Sequence, residues 1–176
     1  MRWKTPFSFK AAWEACRSPS QGVYWAGLCW SGGRPRWPTH YVLVLQRAIL
    51  THCYLNYKVF SLVSGCYLCY HNVETLDLLF CSCNYAWEMW YSISGIFGCE
   101  LQKVNVVQDL VAMFNQRFNG KKNKLASIVF TAVLYFIWKE RNERMHNDLC
   151  RAPLELAKCI IWEVLDVMGV TLQDVL

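Results

Sequence analysis

The spacing of three cysteines constrains this chain more than any other feature of its sequence. Cys66 and Cys69 are separated by two residues, and Cys83 follows fourteen positions after Cys69. A tight turn at C-x2-C spacing points both sulfurs inward, so the two thiolates can bind one metal ion. Structural zinc sites take four Cys or His ligands in a tetrahedron. The segment therefore predicts a small zinc-knuckle-like loop, with Cys66, Cys69 and Cys83 as three of the four ligands.

Other residues surround these cysteines in a fixed order, and they are Glu74, Thr75, Leu79, Phe80 and either Trp87 or Trp90. The whole set resembles the zinc-binding domain at the C-terminal end of plant non-LTR retroelement reverse transcriptases. That family runs C-x2-C, Glu-Thr, His-Leu-Phe, Cys and Trp. The family's histidine falls on Leu78, and a leucine side chain cannot bind a metal. The resemblance therefore implies a degenerate copy of the family's zinc site.

The resemblance extends over most of the chain. Residues 7–13 read Phe-Ser-Phe-Lys-Ala-Ala-Trp, which is similar to the family's Phe-Ser-x-Lys-x-x-Trp opening. Residues 137–144 read Ile-Trp-Lys-Glu-Arg-Asn-Glu-Arg, which is similar to its Ile-Trp-x-Glu-Arg-Asn segment. The family's spaced tryptophans and its Pro-Arg step are matched by Trp25, Trp30, Pro35 and Arg36. We expect one domain over residues 1–150, with a C-terminal helix in residues 151–176 that packs on the same domain.

The fourth metal ligand is open at this point. Cys81 lies three residues after Leu78, about one helical turn, and could present its sulfur to the same side. His71 is a second candidate, although it lies only two residues after Cys69 and would need a strained turn. The alternative is a site that has lost its metal and whose thiols are simply buried.

Composition indicates a folded chain in a reducing compartment. The 176 residues suit a single domain, and the apolar fraction of 55% excludes a disordered composition. No signal peptide is expected, since Pro6 follows a charged start with no apolar run. We expect an intracellular protein, nuclear or cytoplasmic, with free or metal-bound thiols. The cysteines outside the knuckle are expected to be small buried hydrophobes: Cys16, Cys29, Cys53, Cys99, Cys150 and Cys159.

The periodicity of apolar residues predicts a mainly α, irregular helical domain with at least five helices. Helices are expected over residues 8–17, 40–50, 54–63 (or as a continuation of the preceding one), 106–118 and 124–146. A further helix should pass through Trp87 and Trp90 to a break at Gly95 and Gly98, and the last should run from Pro153 to Gly169. Short strands are most expected near residues 7–9 and 23–25.

The two longest patterns make further predictions. The apolar run at residues 125–138 is shorter than the roughly 20 residues that a membrane span requires, so we expect a core helix and no membrane association. The charged half that follows should emerge into solvent, with Glu140 and Arg144 as a surface pair. The last helix should present one narrow seam to a partner helix, formed by Leu154, Ala157, Ile161, Val164 and Met168.

No catalytic constellation is evident, and we expect no enzymatic activity. The four histidines stand in no motif, and there is neither an Asp-Asp pair nor a phosphate-binding loop. The family implies an accessory zinc platform that helps an upstream polymerase domain, absent from this chain, to hold RNA or DNA. Phosphate contacts are expected from Lys121, Lys122 and Lys124, and base stacking from Tyr67 and Tyr70. The alternative is a relic or protein-interaction domain without metal or nucleic-acid activity.

Overall fold

The computed structural model describes residues 33–51, 65–96, 101–117 and 124–169, and these ranges are mainly helical. The helices are α1 (Arg36–Leu45), a π-helical turn (Leu78–Ser82), α2 (Asn84–Ile96), α3 (Val107–Arg117), α4 (Lys124–Asn147) and α5 (Pro153–Met168). The described ranges contain no strand, and Gly65 and Val73 form an isolated antiparallel bridge. The mainly α prediction is confirmed. The strands expected near residues 7–9 and 23–25, and the helices expected over residues 8–17 and 54–63, lie outside the described residues.

Helix ends follow the local backbone chemistry. Helix α1 begins earlier than predicted and ends at Leu45, because Arg47 adopts a left-handed backbone with a φ of 53°. Helix α2 passes through Gly95 instead of breaking there. Helix α5 begins at Pro153 and is capped by Gly169 with a φ of 64°, as the sequence predicts.

The apolar core centres on Phe130 of α4. Its ring lies 4.3 Å from Phe114 of α3, 5.3 Å from Trp90 of α2 and 5.9 Å from Tyr41 of α1, measured between ring centroids. Four helices therefore meet at one aromatic side chain. Such ring pairs add to the free energy of burial, by about 0.5–1.5 kcal/mol each. Trp90 is also oriented by its indole N–H, which donates to the carbonyl of Phe80 at 2.9 Å.

The prediction that the charged half of α4 emerges into solvent is wrong for Glu140, Arg141 and Arg144, although His146 and Asn147 at the end of the helix are exposed. Glu140 is 0% exposed, Arg141 is 1% exposed and Arg144 is also buried. Helix α4 packs against α1, α2 and α5. Charges can be buried there because each of these side chains has an oppositely charged partner. The Glu140–Arg144 pair is therefore an interior interaction and not a surface one.

The buried face of α5 differs from the predicted seam. Leu154 is exposed, whereas the buried residues are Leu156, Ala157, Ile160, Val164 and Leu165. The face is wider than a seam because α5 contacts two helices, α2 and α4. Cys150 and Cys159 are also exposed, contrary to the expectation that they are buried. None of the helices in the described ranges combines the length and hydropathy that a membrane crossing requires.

Candidate metal centre

The first two cysteines lie in a short loop at residues 65–73, which we call the cysteine loop. Its ends are joined by the bridge between Gly65 and Val73, and the Cys66 N–H donates to the Asn72 carbonyl at 2.7 Å. Inside it, the Tyr70 N–H donates to the Cys66 carbonyl at 2.7 Å, and Tyr70 has a φ of 60°. These bonds close the C-x2-C turn tightly, so both cysteines face the same side.

Cys83 lies where the π-helical turn meets α2. Its N–H donates to the Leu78 carbonyl at 2.8 Å, which closes the wide turn, and its carbonyl accepts from Trp87 at 2.8 Å. The side chain of Thr75 starts this segment by accepting from the Leu78 N–H at 3.0 Å. Because Cys83 itself has extended backbone angles, it caps α2 and turns its sulfur toward the cysteine loop.

The structure brings the three predicted cysteines together, which confirms that their sulfurs are close. The sulfurs of Cys66, Cys69 and Cys83 all lie within 4.8 Å of one another, and those of Cys66 and Cys83 are 3.9 Å apart. Four sulfurs around one zinc at a bond length of about 2.3 Å would be about 3.8 Å apart. The donor set and its spacing therefore fit a tetrahedral thiolate site for zinc.

Hydrogen bonds around these sulfurs favour a thiolate on Cys66. A hydrogen bond between the Cys66 and Cys83 sulfurs, together with bonds from the backbone N–H groups of Cys69 and Leu68, lowers the pKa of Cys66 to about 6. The bond between the two cysteines raises the pKa of Cys83, so Cys66 is the first of the two to lose its proton. Metals bind thiolates, and the site is therefore electrostatically prepared for a cation.

The two candidates for the fourth ligand are not part of this group. The thiol of Cys81 is buried, and burial together with the charges of Asp77 and Asp109 raises its pKa to about 12. The ring of His71 is held by a short contact from Nδ1 to the Cys69 carbonyl. Leu78 is half-buried and packs against the core. Within the described ranges, the group of possible ligands comprises the three cysteines.

The segment that contains the three cysteines resembles a known protein family. Residues 7–90 match the model of a family described as zinc-binding in reverse transcriptase. Over this segment, slightly less than half of the chain, the protein is similar to the reverse transcriptase zinc-binding family. Neither the curated proteins nor the solved structures contain a match to the chain. The matched residues include all three clustered cysteines, and the family resemblance predicted from the sequence is confirmed over this segment.

A buried ion pair joins the zinc-binding family segment to α4, beyond the matched residues. The guanidinium of Arg141 donates to both carboxylate oxygens of Glu74, with its shortest bond at 2.7 Å. Its Cζ atom lies over two aromatic rings, 5.2 Å from the centroid of Tyr67 and 5.1 Å from that of Trp138. Glu74 immediately follows the cysteine loop, so this pair fixes the exit of the loop against α4.

A second buried cluster on α4 is centred on Glu140, the residue before Arg141. Glu140 accepts bonds from Arg144 Nε at 3.0 Å, from the Arg151 N–H at 2.8 Å and from Arg151 Nη1 at 3.0 Å. Arg144 also donates to the Leu68 carbonyl inside the cysteine loop at 3.0 Å. Sequence reasoning missed these roles. The available signal was that Glu74 and residues 137–144 both fall in segments resembling the family.

The residues predicted to contact nucleic acid are placed only in part. Tyr70 is 67% exposed at the tip of the cysteine loop, and Lys124 is exposed at the start of α4. Tyr67 is half-buried beneath Arg141, so only part of its ring is available for stacking. Lys121 and Lys122 lie outside the described residues. Among the described residues, Tyr70 and Lys124 share no hydrogen bond or ring contact.

Proposed function

We propose that the chain is an accessory zinc-binding domain of a plant retroelement reverse transcriptase, in which Cys66, Cys69 and Cys83 hold one structural zinc ion. The observation that carries this proposal is the cluster of three sulfurs at the spacing of a tetrahedral site. The family match over residues 7–90 supports zinc as the metal. We also infer one domain over residues 1–150, with the helix of residues 151–176 packed on it.

The chemistry that zinc supplies in such a site is a cross-link. Cys66 and Cys69 belong to the cysteine loop, and Cys83 begins α2, so their ligation would join the loop to the helix. The energy of metal binding then becomes folding energy, because the unfolded chain holds no preformed site. A structural site of this kind needs four ligands. Cys81 is our proposal for the fourth after a local rearrangement, with water or His71 as alternatives.

The proposed partner of this platform is RNA or DNA. Tyr70 is exposed beside the metal loop and could stack on a base, together with the exposed part of Tyr67. Lys121, Lys122 and Lys124 would contact phosphates, which gives weak binding with little sequence preference. Replacing the three lysines with alanine should flatten the fall of affinity with salt concentration. A salt slope equal to that of the parent would contradict this assignment.

Metal analysis of the purified chain tests the zinc proposal. We expect one zinc per chain, lost in Cys66→Ser and Cys83→Ser and retained in Cys159→Ser, which removes an exposed cysteine outside the cluster. A chain that contains no zinc, and takes up none on titration, would instead support a relic or protein-interaction domain. The same samples can be tested for RNA binding over a range of salt concentrations.

Position 78 offers a sharper test of the same site. The backbones of Leu78 and Cys83 are hydrogen-bonded, so residue 78 lies one wide turn before a ligand. Leu78→His restores the residue type that the family carries there and should tighten zinc binding. It should also raise the melting temperature in zinc, since a metal that binds only the folded state stabilises it. Equal zinc affinity in variant and parent would mean that the site is already complete, and Cys81→Ala and His71→Ala would then identify its fourth ligand.

A further inference from the structure

Helix α4 holds the cysteine loop in place through its two buried arginines. Arg141 lies over the ring of Tyr67 and binds Glu74 at the end of the loop. Arg144 reaches the loop itself, where its Nη1 donates to the Leu68 carbonyl at 3.0 Å. Leu68 lies between Cys66 and Cys69, so Arg144 contacts the backbone of the C-x2-C turn directly.

The Leu68 carbonyl and the Cys69 N–H belong to one peptide unit. A trans peptide is planar, and its C=O and N–H point in opposite directions. Its carbonyl side faces Arg144, and its N–H side donates to the sulfur of Cys66. The bond from Arg144 therefore fixes the plane in which this N–H points at a ligand sulfur. A cation on the carbonyl also polarises the peptide and strengthens the N–H as a donor to a thiolate.

Arg144 is itself held rigidly. Its Nε donates to Glu140 at 3.0 Å and its Nη2 to the Arg151 carbonyl at 2.8 Å, so every branch of the guanidinium has a partner. The group also lies 4.3 Å from the centroid of the Tyr85 ring. A side chain fixed at this many points cannot turn away from the loop without breaking several bonds. It therefore presents one fixed donor to the Leu68 carbonyl.

We propose that Arg144 is a positioning residue of the metal site, which acts on the ligand Cys66 through the Leu68–Cys69 peptide. This inference rests on the proposed function, because it assumes that the three cysteines bind zinc. It also means that the unit competent to bind metal extends beyond the family match at residues 7–90, to α4 and Arg151. Outer partners of this kind usually contribute about 10-fold to 100-fold to metal affinity.

The first test is a titration of the full chain with Co²⁺, a zinc substitute whose thiolate absorption bands report ligation. Arg144→Met, which removes the donors but retains much of the side chain's bulk, should bind Co²⁺ about 10-fold to 100-fold more weakly than the parent. Leu134→Ala is the matched control, because it destabilises the same helix at a fully buried site in its apolar half. It should leave the Co²⁺ affinity of the folded protein and its absorption spectrum unchanged.

Arg144→Lys separates positioning from general damage. Lysine keeps the charge and can donate to the Leu68 carbonyl, but it cannot also reproduce the fork to Glu140 and Arg151. It should recover part of the lost Co²⁺ affinity. It also serves in place of Arg144→Met if that variant does not fold, with a smaller expected loss.

Hydrogen exchange without metal keeps the positioning role testable if the zinc proposal fails. In Arg144→Met the amides of Cys69 and Tyr70 should exchange faster than in the parent, whereas amides of α3 should not change. A parent that binds no Co²⁺ would reject the zinc function alone, and faster exchange at Cys69 would still support the role of Arg144 in the loop. Parental exchange at Cys69 in Arg144→Met overturns the proposal, and so does parental Co²⁺ affinity in a chain that binds the metal.

Discussion

Both halves of α4 bury side chains, but by opposite chemistry. The first half is almost entirely apolar and packs Phe130 against aromatic side chains of three other helices. The second half contains Glu140, Arg141 and Arg144, whose charges are removed from water by fixed ionic partners. Burial in the first half depends on area and packing, whereas burial in the second depends on a few particular atoms.

This difference separates two tasks within one helix. Apolar packing tolerates changes of detail, because many small contacts share its free energy. A buried ion pair fails when either partner is lost, but it fixes the position of whatever it binds. In this chain the ionic half contacts the cysteine loop at Tyr67 and Leu68, and it binds Glu74 directly after the loop. The apolar half thus builds the core, and the ionic half places the candidate metal site on it.

The largest expected effect comes from removing the partner of Glu74. Arg141→Met takes the guanidinium from a carboxylate that is fully buried, and we expect a loss of about 3–5 kcal/mol in the free energy of unfolding. Urea denaturation of the parent and the variant measures this loss. The double variant Glu74→Leu with Arg141→Met should be more stable than Arg141→Met alone, because it leaves no buried charge behind. A double variant no more stable than the single one would show that the ionic half is stabilised by packing and not by charge pairing.

In the apolar half, a second substitution should not restore the stability that the first one removes. Leu134 is fully buried in α4, and Leu134→Ala should lower the free energy of unfolding by about 2–5 kcal/mol through lost burial and a cavity. A second core truncation on another helix, Val44→Ala in α1, should add to this loss. Strong recovery in that pair would contradict the contrast between the two halves.

Sequence reasoning predicts the parts of this fold that depend on local signals. The start of α5 at Pro153 and its end at Gly169 follow from backbone restrictions of single residues. The apolar half of α4 follows from composition, and the clustering of three sulfurs from a spacing that one turn can close. Each of these inferences needs only neighbours along the chain or a known ligand geometry.

The remaining features depend on partners that are distant in sequence. Glu74 and Arg141 are 67 positions apart, and no periodicity indicates that they meet. The sequence therefore predicts that Glu140, Arg141 and Arg144 face solvent, although all three are buried. The buried face of α5 was misplaced for a related reason, since one seam was expected and two helices cover it. The predicted fourth ligand Cys81 depends in the same way on where a buried side chain points.

A buried histidine lies where the apolar half of α4 meets the ionic half. His40 of α1 is buried, with its ring within 6.1 Å of the Phe80, Tyr135 and Trp138 centroids. Neither of its ring nitrogens has a hydrogen-bond partner among the described residues. Arg141 and Arg144 of α4 have ionic partners, whereas His40 lies against aromatic side chains. Burial therefore lowers the pKa of His40 to about 4.

The smallest expected effect is the dependence of stability on the charge of His40. Between its unfolded pKa of 6.5 and its folded pKa of about 4, the unfolded chain binds a proton that the folded chain does not. The free energy of unfolding therefore falls as the pH is lowered through this window, by about 3 kcal/mol at most. Urea denaturation of the parent and of His40→Phe, from pH 7 to pH 4, isolates the contribution, because carboxylates titrate alike in both. The variant should lose less stability than the parent over this range, since a phenyl ring takes up no proton. Equal losses would mean that His40 can be protonated in the folded protein, and that the apolar half of α4 accommodates a charge as readily as the ionic half does.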